Sequence, residues 1–214
     1  MEITWYGHSC FRLTERGMAT VVTDPYDHRS IGLQALKLKA NIVTVSHDAP
    51  GHNFVDAVKG NYHLITGPGE YEIGGVFITA VQTNGKKKGS TDEPRNTLYV
   101  FDYGKAIIAH LGNLRRVPSQ TDMEALGNVH IALVPVGGGA SLTPAKAVEI
   151  VSLLEPEIVI PMHYDLPEDK IDLTQVDRFL KEMGVGKVEK QPSLKVTHSI
   201  TPGETRVVVL DHLQ

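Results

Sequence analysis

Apolar residues in the first half of the chain come in short alternating runs broken by glycine, a period-2 pattern that predicts strands joined by tight turns. The runs are Ile3–Trp5, Cys10–Leu13, Thr20–Thr23, Ile42–Val45, His63–Ile65, Val76–Ala80, Leu98–Tyr103 and Ala106–Ala109, with Gly17, Gly60-Asn61, Gly74-Gly75 and Gly104 between them. The second half reads differently. Thr121–Leu126, Thr143–Leu154 and Leu173–Met183 carry helical spacing; Thr143-Pro144 supplies an N-cap and a first-turn proline, and Gly184 a stop. Between these helices, His130–Pro135 and Glu157–Pro161 are continuous apolar runs, as in strands buried on both faces, and Arg206–Leu210 is a last candidate strand. Asn84–Asn96 is the longest loop-like stretch. This pattern alone predicts a mixed α/β chain.

Length and composition narrow the class. With 214 residues, 41% of them hydrophobic, the chain can bury a full core, and residues 1–214 are expected to form one domain. A net charge of −4 exerts no general pull on nucleic acid or anionic lipid, and Lys86-Lys87-Lys88 reads as a solvated loop tip. Neither a nucleic-acid nor a membrane partner is expected. The one cysteine, Cys10, excludes an intrachain disulfide, fits a reducing cytoplasm and reads as a small buried apolar residue. No apolar run approaches the ~20 residues of a membrane span, and Met-Glu-Ile-Thr-Trp leads straight into strand-like sequence, so a soluble, unexported protein is expected.

The candidate chemistry lies in histidines. An apolar strand delivers Ser46-His47-Asp48-Ala49-Pro50-Gly51-His52-Asn53 into a loop, and further along stand His110-Leu111-Gly112-Asn113 and Ile160-Pro161-Met162-His163. Around them are Ile3-Thr4-Trp5-Tyr6-Gly7-His8-Ser9-Cys10-Phe11, Thr23-Asp24-Pro25, Gly67-Pro68-Gly69-Glu70-Tyr71, Asn96-Thr97 and Pro135-Val136-Gly137-Gly138-Gly139. In this order and over most of the chain, these segments resemble the metallo-β-lactamase fold superfamily, in particular its branch of metal-dependent hydrolases related to L-ascorbate-6-phosphate lactonase. The resemblance implies an α/β four-layer αβ/βα sandwich: two sheets with helices on their outer faces and loops from both halves meeting at one edge.

It also implies a pair of ions, and here the ligands fall short. The family loop is His-x-His-x-Asp-His, yet Ala49 stands in place of the second histidine and Gly51 in place of the aspartate. Where a third histidine is implied, after Phe77–Val81, the chain reads Gln82-Thr83-Asn84-Gly85, and Asn113 replaces the bridging aspartate of His-Leu-Gly-Asp. That leaves His47 for one ion and His52 with His163 for the other, as a weak or vestigial set, while His8, Asp24, Asp48, His110 and Asn113 are expected to line the cleft. Hydrolytic zinc needs three protein ligands and an open position, and two close dications need carboxylates to offset their charge. A dinuclear centre is therefore not expected. The expected cofactor is none or a single weakly bound divalent metal, zinc foremost, since imidazoles suit it better than magnesium.

Two functions stay open. One is an impaired or inactive member, a pseudoenzyme using the old cleft to bind a small molecule. The other is an active hydrolase of a lactone or phosphoester with a rearranged mononuclear site drawn from His8, His47, His52, His110 and His163. Asp48 reads as a loop cap and Gly137-Gly138-Gly139 as a strand-to-helix turn, since no Lys-Ser/Thr follows as a P-loop requires.

Overall fold

The computed structural model describes residues 1–83, 94–198, 200 and 203–213. Seven strands fill the first third: β1 (Glu2–Trp5), β2 (Phe11–Thr14), β3 (Val21–Thr23), β4 (Leu38–Lys39), β5 (Ile42–Thr44), β6 (Val58–Lys59) and β7 (His63–Ile65). Eight follow: β8 (Gly69–Ile73), β9 (Val76–Thr83), β10 (Asn96–Asp102), β11 (Ile107–His110), β12 (Ile131–Pro135), β13 (Ile158–Met162), β14 (Leu194–Lys195) and β15 (Arg206–Val207). The α-helices are α1 (His28–Ile31), α2 (Gln120–Leu126), α3 (Pro144–Leu154) and α4 (Val176–Glu182).

These strands make two large sheets, ordered β14-β1-β2-β3-β5-β7 and β15-β13-β12-β11-β10-β9-β8, and a small β4-β6 pair. Each large sheet changes from antiparallel hairpins to parallel strands. The change falls at β3-β5 in the first sheet and β11-β12 in the second. Parallel strands run carboxyl ends together, so the loops after β3, β5, β11, β12 and β13 can gather at one edge.

The sheets face each other. Tyr99 on β10 donates its hydroxyl to Val45 O at 2.8 Å and Ile65 O at 3.0 Å, and Tyr103 reaches Ala19 O at 3.1 Å in the β2–β3 connection of the opposite sheet. Burying these rings places an apolar body in the sandwich core, and the backbone acceptors satisfy the phenol groups that would otherwise be costly there. β12 and β13 are buried along their whole length, whereas β1 and β2 alternate, as a sheet covered on one or both faces requires. α3 supplies part of that cover, burying Ala147, Ile150 and Val151 on one face. It opens as its sequence predicts, with the Thr143 side chain accepting from Lys146 N and proline in the first turn.

Other elements differ from the sequence pattern. α4 starts at Val176 rather than Leu173 because the preceding backbone is engaged elsewhere, Thr174 N donating to Gly137 O at 2.7 Å and Thr174 O accepting from Asp165 N at 3.1 Å. β15 ends at Val207, and Leu210 instead makes an isolated bridge with Gln191. Before β2, residues 7–10 form a turn closed by Cys10 N to Gly7 O, so His8 and Cys10 do not share a strand face. Cys10 is buried, as expected. Gly69–Ile73, read only as a motif, is a strand. The basic triplet 86–88 and most of the 84–96 loop lie outside the described residues. Among the described residues no helix is long and apolar enough to cross a membrane.

Candidate metal centre

Five chain segments converge at the shared sheet edge: the turn carrying His8, the end of β3 with Asp24, the loop after β5 with His47 and His52, the loop after β11 with Asn113, and the end of β13 with His163. Among the described residues, four that are not glycine have positive φ, and three of them are His8 (52°), Asp24 (39°) and His163 (53°). Left-handed backbone costs such residues on the order of 1 kcal/mol each, so it persists where surrounding bonds hold it. For His8 those bonds are visible: its carbonyl accepts both Trp5 Nε1–H and the His163 backbone N–H at 3.0 Å, joining the first loop to the last.

Asp24 organises the interior. Its Oδ1 accepts Ser46 N–H at 2.7 Å, and its Oδ2 accepts the Ser46 hydroxyl at 2.5 Å and His52 Nδ1–H at 2.8 Å. Burial raises the Asp24 pKa, with His110 and the Ser46 bonds pulling it back down. Burial holds His52 well below its ordinary value, with His47 and His163 adding to the shift, so the contact with Asp24 is a neutral imidazole donating to a carboxylate rather than a full ion pair. The His52 Nε2 lone pair is thereby left for a ligand.

The same logic fixes the neighbouring tautomers. Ser141 Oγ–H donates to Gly138 O at 2.9 Å, so Ser141 Oγ meets His163 Nδ1, 3.5 Å away, as an acceptor, and His163 Nε2 keeps its lone pair. Ser46 Oγ–H is already engaged with Asp24, so its oxygen meets His47 Nδ1 at 3.4 Å as an acceptor. His47 Nε2 then accepts from Asn113 Nδ2 at 3.2 Å. His110 is spent on structure: Nε2–H donates to Ser9 O at 2.9 Å and Nδ1 accepts Gly112 N–H at 3.2 Å.

His8, His52 and His163 each offer one ligand nitrogen, all within 4.8 Å of one another. Their rings lie close, His8 4.1 Å from His163 and 4.9 Å from His52 between centroids. Burial holds His8 well below its ordinary pKa and takes His163 to about 4, so all three imidazoles are neutral near pH 7 and able to donate lone pairs. His8 Nδ1 is buried with no hydrogen-bond partner among the described residues. Such an atom costs roughly 1–3 kcal/mol unless something meets it.

The expected residues thus divide. His52 and His163 stand together with His8, which the sequence had placed along the cleft and among the histidines of a rearranged site. His47 lies next to them, its ring 4.0 Å from that of His52, but its Nε2 faces Asn113. Asp24 is second to the histidines rather than open to the cleft, and Asp48 is exposed, its Oδ1 accepting from Asn53 Nδ2 at 2.5 Å across the loop. Two glycines frame the group. A Cβ on Gly51 would lie 2.6 Å from His8 Nε2, and one on Gly137 would lie 2.2 Å from His163 O. The Gly137–Gly139 turn therefore packs beneath His163 rather than around a phosphate. The sequence signal for Ser46 and Ser141 was weak, since neither serine sits in a ligand motif.

A cavity of 530 Å³ opens beside the group, with Ser46 and His47 in its lining.

Residues 2–163 match the family model described as "Beta-lactamase superfamily domain". A UPF0173 protein of Pyrococcus abyssi is 28% identical over 187 residues, covering 77% of this chain and 83% of its own length. A UPF0173 metal-dependent hydrolase of Desulforamulus reducens is 27% identical over 195 residues, covering 77% and 85%. Among solved structures, a Thermotoga maritima protein named for Zn-dependent hydrolysis within the metallo-beta-lactamase superfamily superimposes with a TM-score of 0.80. It is 35% identical, covering 98% of this chain and 97% of that one. A metallo hydrolase from Ignicoccus hospitalis, 19% identical with a TM-score of 0.64 and covering 92% and 99%, shares the fold.

Proposed function

Because the chain belongs to the metallo-β-lactamase superfamily, among its metal-dependent hydrolases, we propose that it has given up the two-ion centre and holds one divalent cation on His8, His52 and His163. The carrying observation is the convergence of those three buried imidazoles, with a His8 nitrogen that has no partner among the described residues, while Ala49, Gly51 and Asn113 stand at implied ligand positions and residues 82–85 hold no histidine.

The donor set fits a single ion. His8, His52 and His163 would hold it, their ligand nitrogens lying within 4.8 Å of one another. Three neutral imidazoles and one open position match the zinc sites that activate water, and they favour zinc, nickel or copper over magnesium. A bound ion would supply a Lewis acid and lower the pKa of a water at that position.

The chain's own residues do the rest. Asp24 and Ser141 hold His52 and His163 in the tautomers that present Nε2, and His8 closes the set across Gly51. Asn113 occupies His47 Nε2, so His47 is withdrawn from coordination and left facing the cavity. We assign hydrolysis of a small ester to this arrangement. The resemblance of Gly67–Tyr71 and Pro135–Gly139 to the lactone-cleaving branch supports a lactone or phosphoester.

Metal analysis of protein purified without chelator provides the test. The expected result is close to one ion per chain, lost in His8→Ala, His52→Ala and His163→Ala and kept in His47→Ala. Two ions per chain would restore the dinuclear reading; none, with no thermal stabilisation by added zinc, would leave a pseudoenzyme that binds a small molecule in the cleft.

A further inference from the structure

The cavity beside the metal centre has a chemistry of its own. Val45, Val55, Leu64 and Pro68 give it an apolar wall, of which Leu64 on edge strand β7 is 48% exposed. Of the clustered histidines only His47 lines it, and that ring stands 4.0 Å from His52. A molecule touching His47 therefore lies against the ring that packs on His52. Arg95 also lines the cavity and presents an exposed guanidinium, a planar donor suited to carboxylate and phosphate oxygens.

One acid, Asp48, shares the lining from the loop after β5, with its Oδ1 turned to Asn53 Nδ2. Arg95 enters from the other sheet, just before β10, and is the cation among the lining residues. At 530 Å³ the space falls within the range of small-molecule sites.

We propose that this cavity is the substrate site and that it selects a small organic anion with an apolar body, the body lying along Val55 and Leu64 and the anionic group on Arg95. Arg95 is then a specificity-determining residue. The choice of which bond is cut rests on the single-ion hydrolase reading; the recognition of an anion does not.

The test uses the intact chain after chelator treatment, so that it is independent of metal. Binding of 4-phenylbutyrate, 4-phenylbutanol and 4-phenylbutylamine is measured by calorimetry. The carboxylate is expected to bind about tenfold more tightly than the alcohol, with the amine weakest, since a charge-assisted bond to guanidinium is roughly twice as strong as a neutral one. Arg95→Ala should erase that preference and leave the alcohol unchanged; Leu64→Asp should weaken the alcohol by removing apolar contact, and the carboxylate further by adding a like charge. Equal binding of the three probes, preference for the amine, a preference that survives Arg95→Ala, or indifference to Leu64→Asp would each overturn the assignment. Loss of metal from the untreated protein would instead count against the single-ion reading alone.

Discussion

Position 51 carries no side chain, and the His8 imidazole fills the room this leaves. A methyl group there would sit 2.6 Å from His8 Nε2 and 3.1 Å from Ile31 Cδ1, contacts that force a buried ring and a core side chain to move. Gly51→Ala is therefore expected to lower stability by about 1–3 kcal/mol, the range for overpacking, and to empty the metal site by displacing His8. Urea unfolding and metal analysis of one preparation would check both; a variant with unchanged stability and full metal would refute the packing argument. This exchange was not legible in the sequence. There Gly51 reads as a lost ligand and His8 as a cleft residue or one of five histidines of a rearranged site, because a family loop pattern records what stands at each position and not which distant side chain takes up the space. His52 and His163 were legible as candidates, since His52 keeps the last position of the broken loop pattern and His163 ends a motif that survives intact.

Among the elements, those with strong internal signals were read well. The apolar runs of β12 and β13 and the Thr143-Pro144 start of α3 need no partner to be recognised. Elements of two residues were not: β14 exists only because Lys195 and Leu194 pair with Glu2 and Ile3, and no local pattern announces it. The glycine turn between β12 and α3 lies between these cases, legible as a turn but not as the support of His163. Two substitutions near α3 should separate local stability from support of the site. Thr143→Ala removes the cap and is expected to cost about 1 kcal/mol with metal content unchanged. Gly137→Ala puts a Cβ against the His163 carbonyl and Tyr164 Cα, backbone that cannot swing aside, and should both destabilise the chain and reduce its metal. If thermal melts and metal analysis showed the two variants losing metal equally, the turn would not be what positions His163.

For the molecule as a whole, periodicity gave only a mixed α/β chain; the facing of two sheets came from resemblance and is visible in the Tyr99 and Tyr103 bonds that cross between them. That burial has a pH signature. His8, His52, His110 and His163 all have pKa values held below the ordinary histidine value by burial, so the unfolded chain binds more protons than the folded one once pH drops below about 6.5. Their contribution is fully present above that value and is lost as pH falls through it toward about 4, where His163 itself titrates. Asp24, raised by burial above the ordinary carboxylate range, acts in the opposite sense. For metal-free protein, the urea midpoint should fall steadily between about pH 7 and about pH 5. A midpoint constant over that interval would mean the imidazoles are not buried as neutral groups.

The carboxylate of Asp24 has one more effect. Through His52 on one oxygen and Ser46 on both, it sets the orientation of the loop after β5 using the protein's own atoms. A cation arriving at His52 meets a ring that is already aimed, so little chain entropy is surrendered on capture, and affinity is governed by the donors themselves instead of by the ordering of a floppy segment.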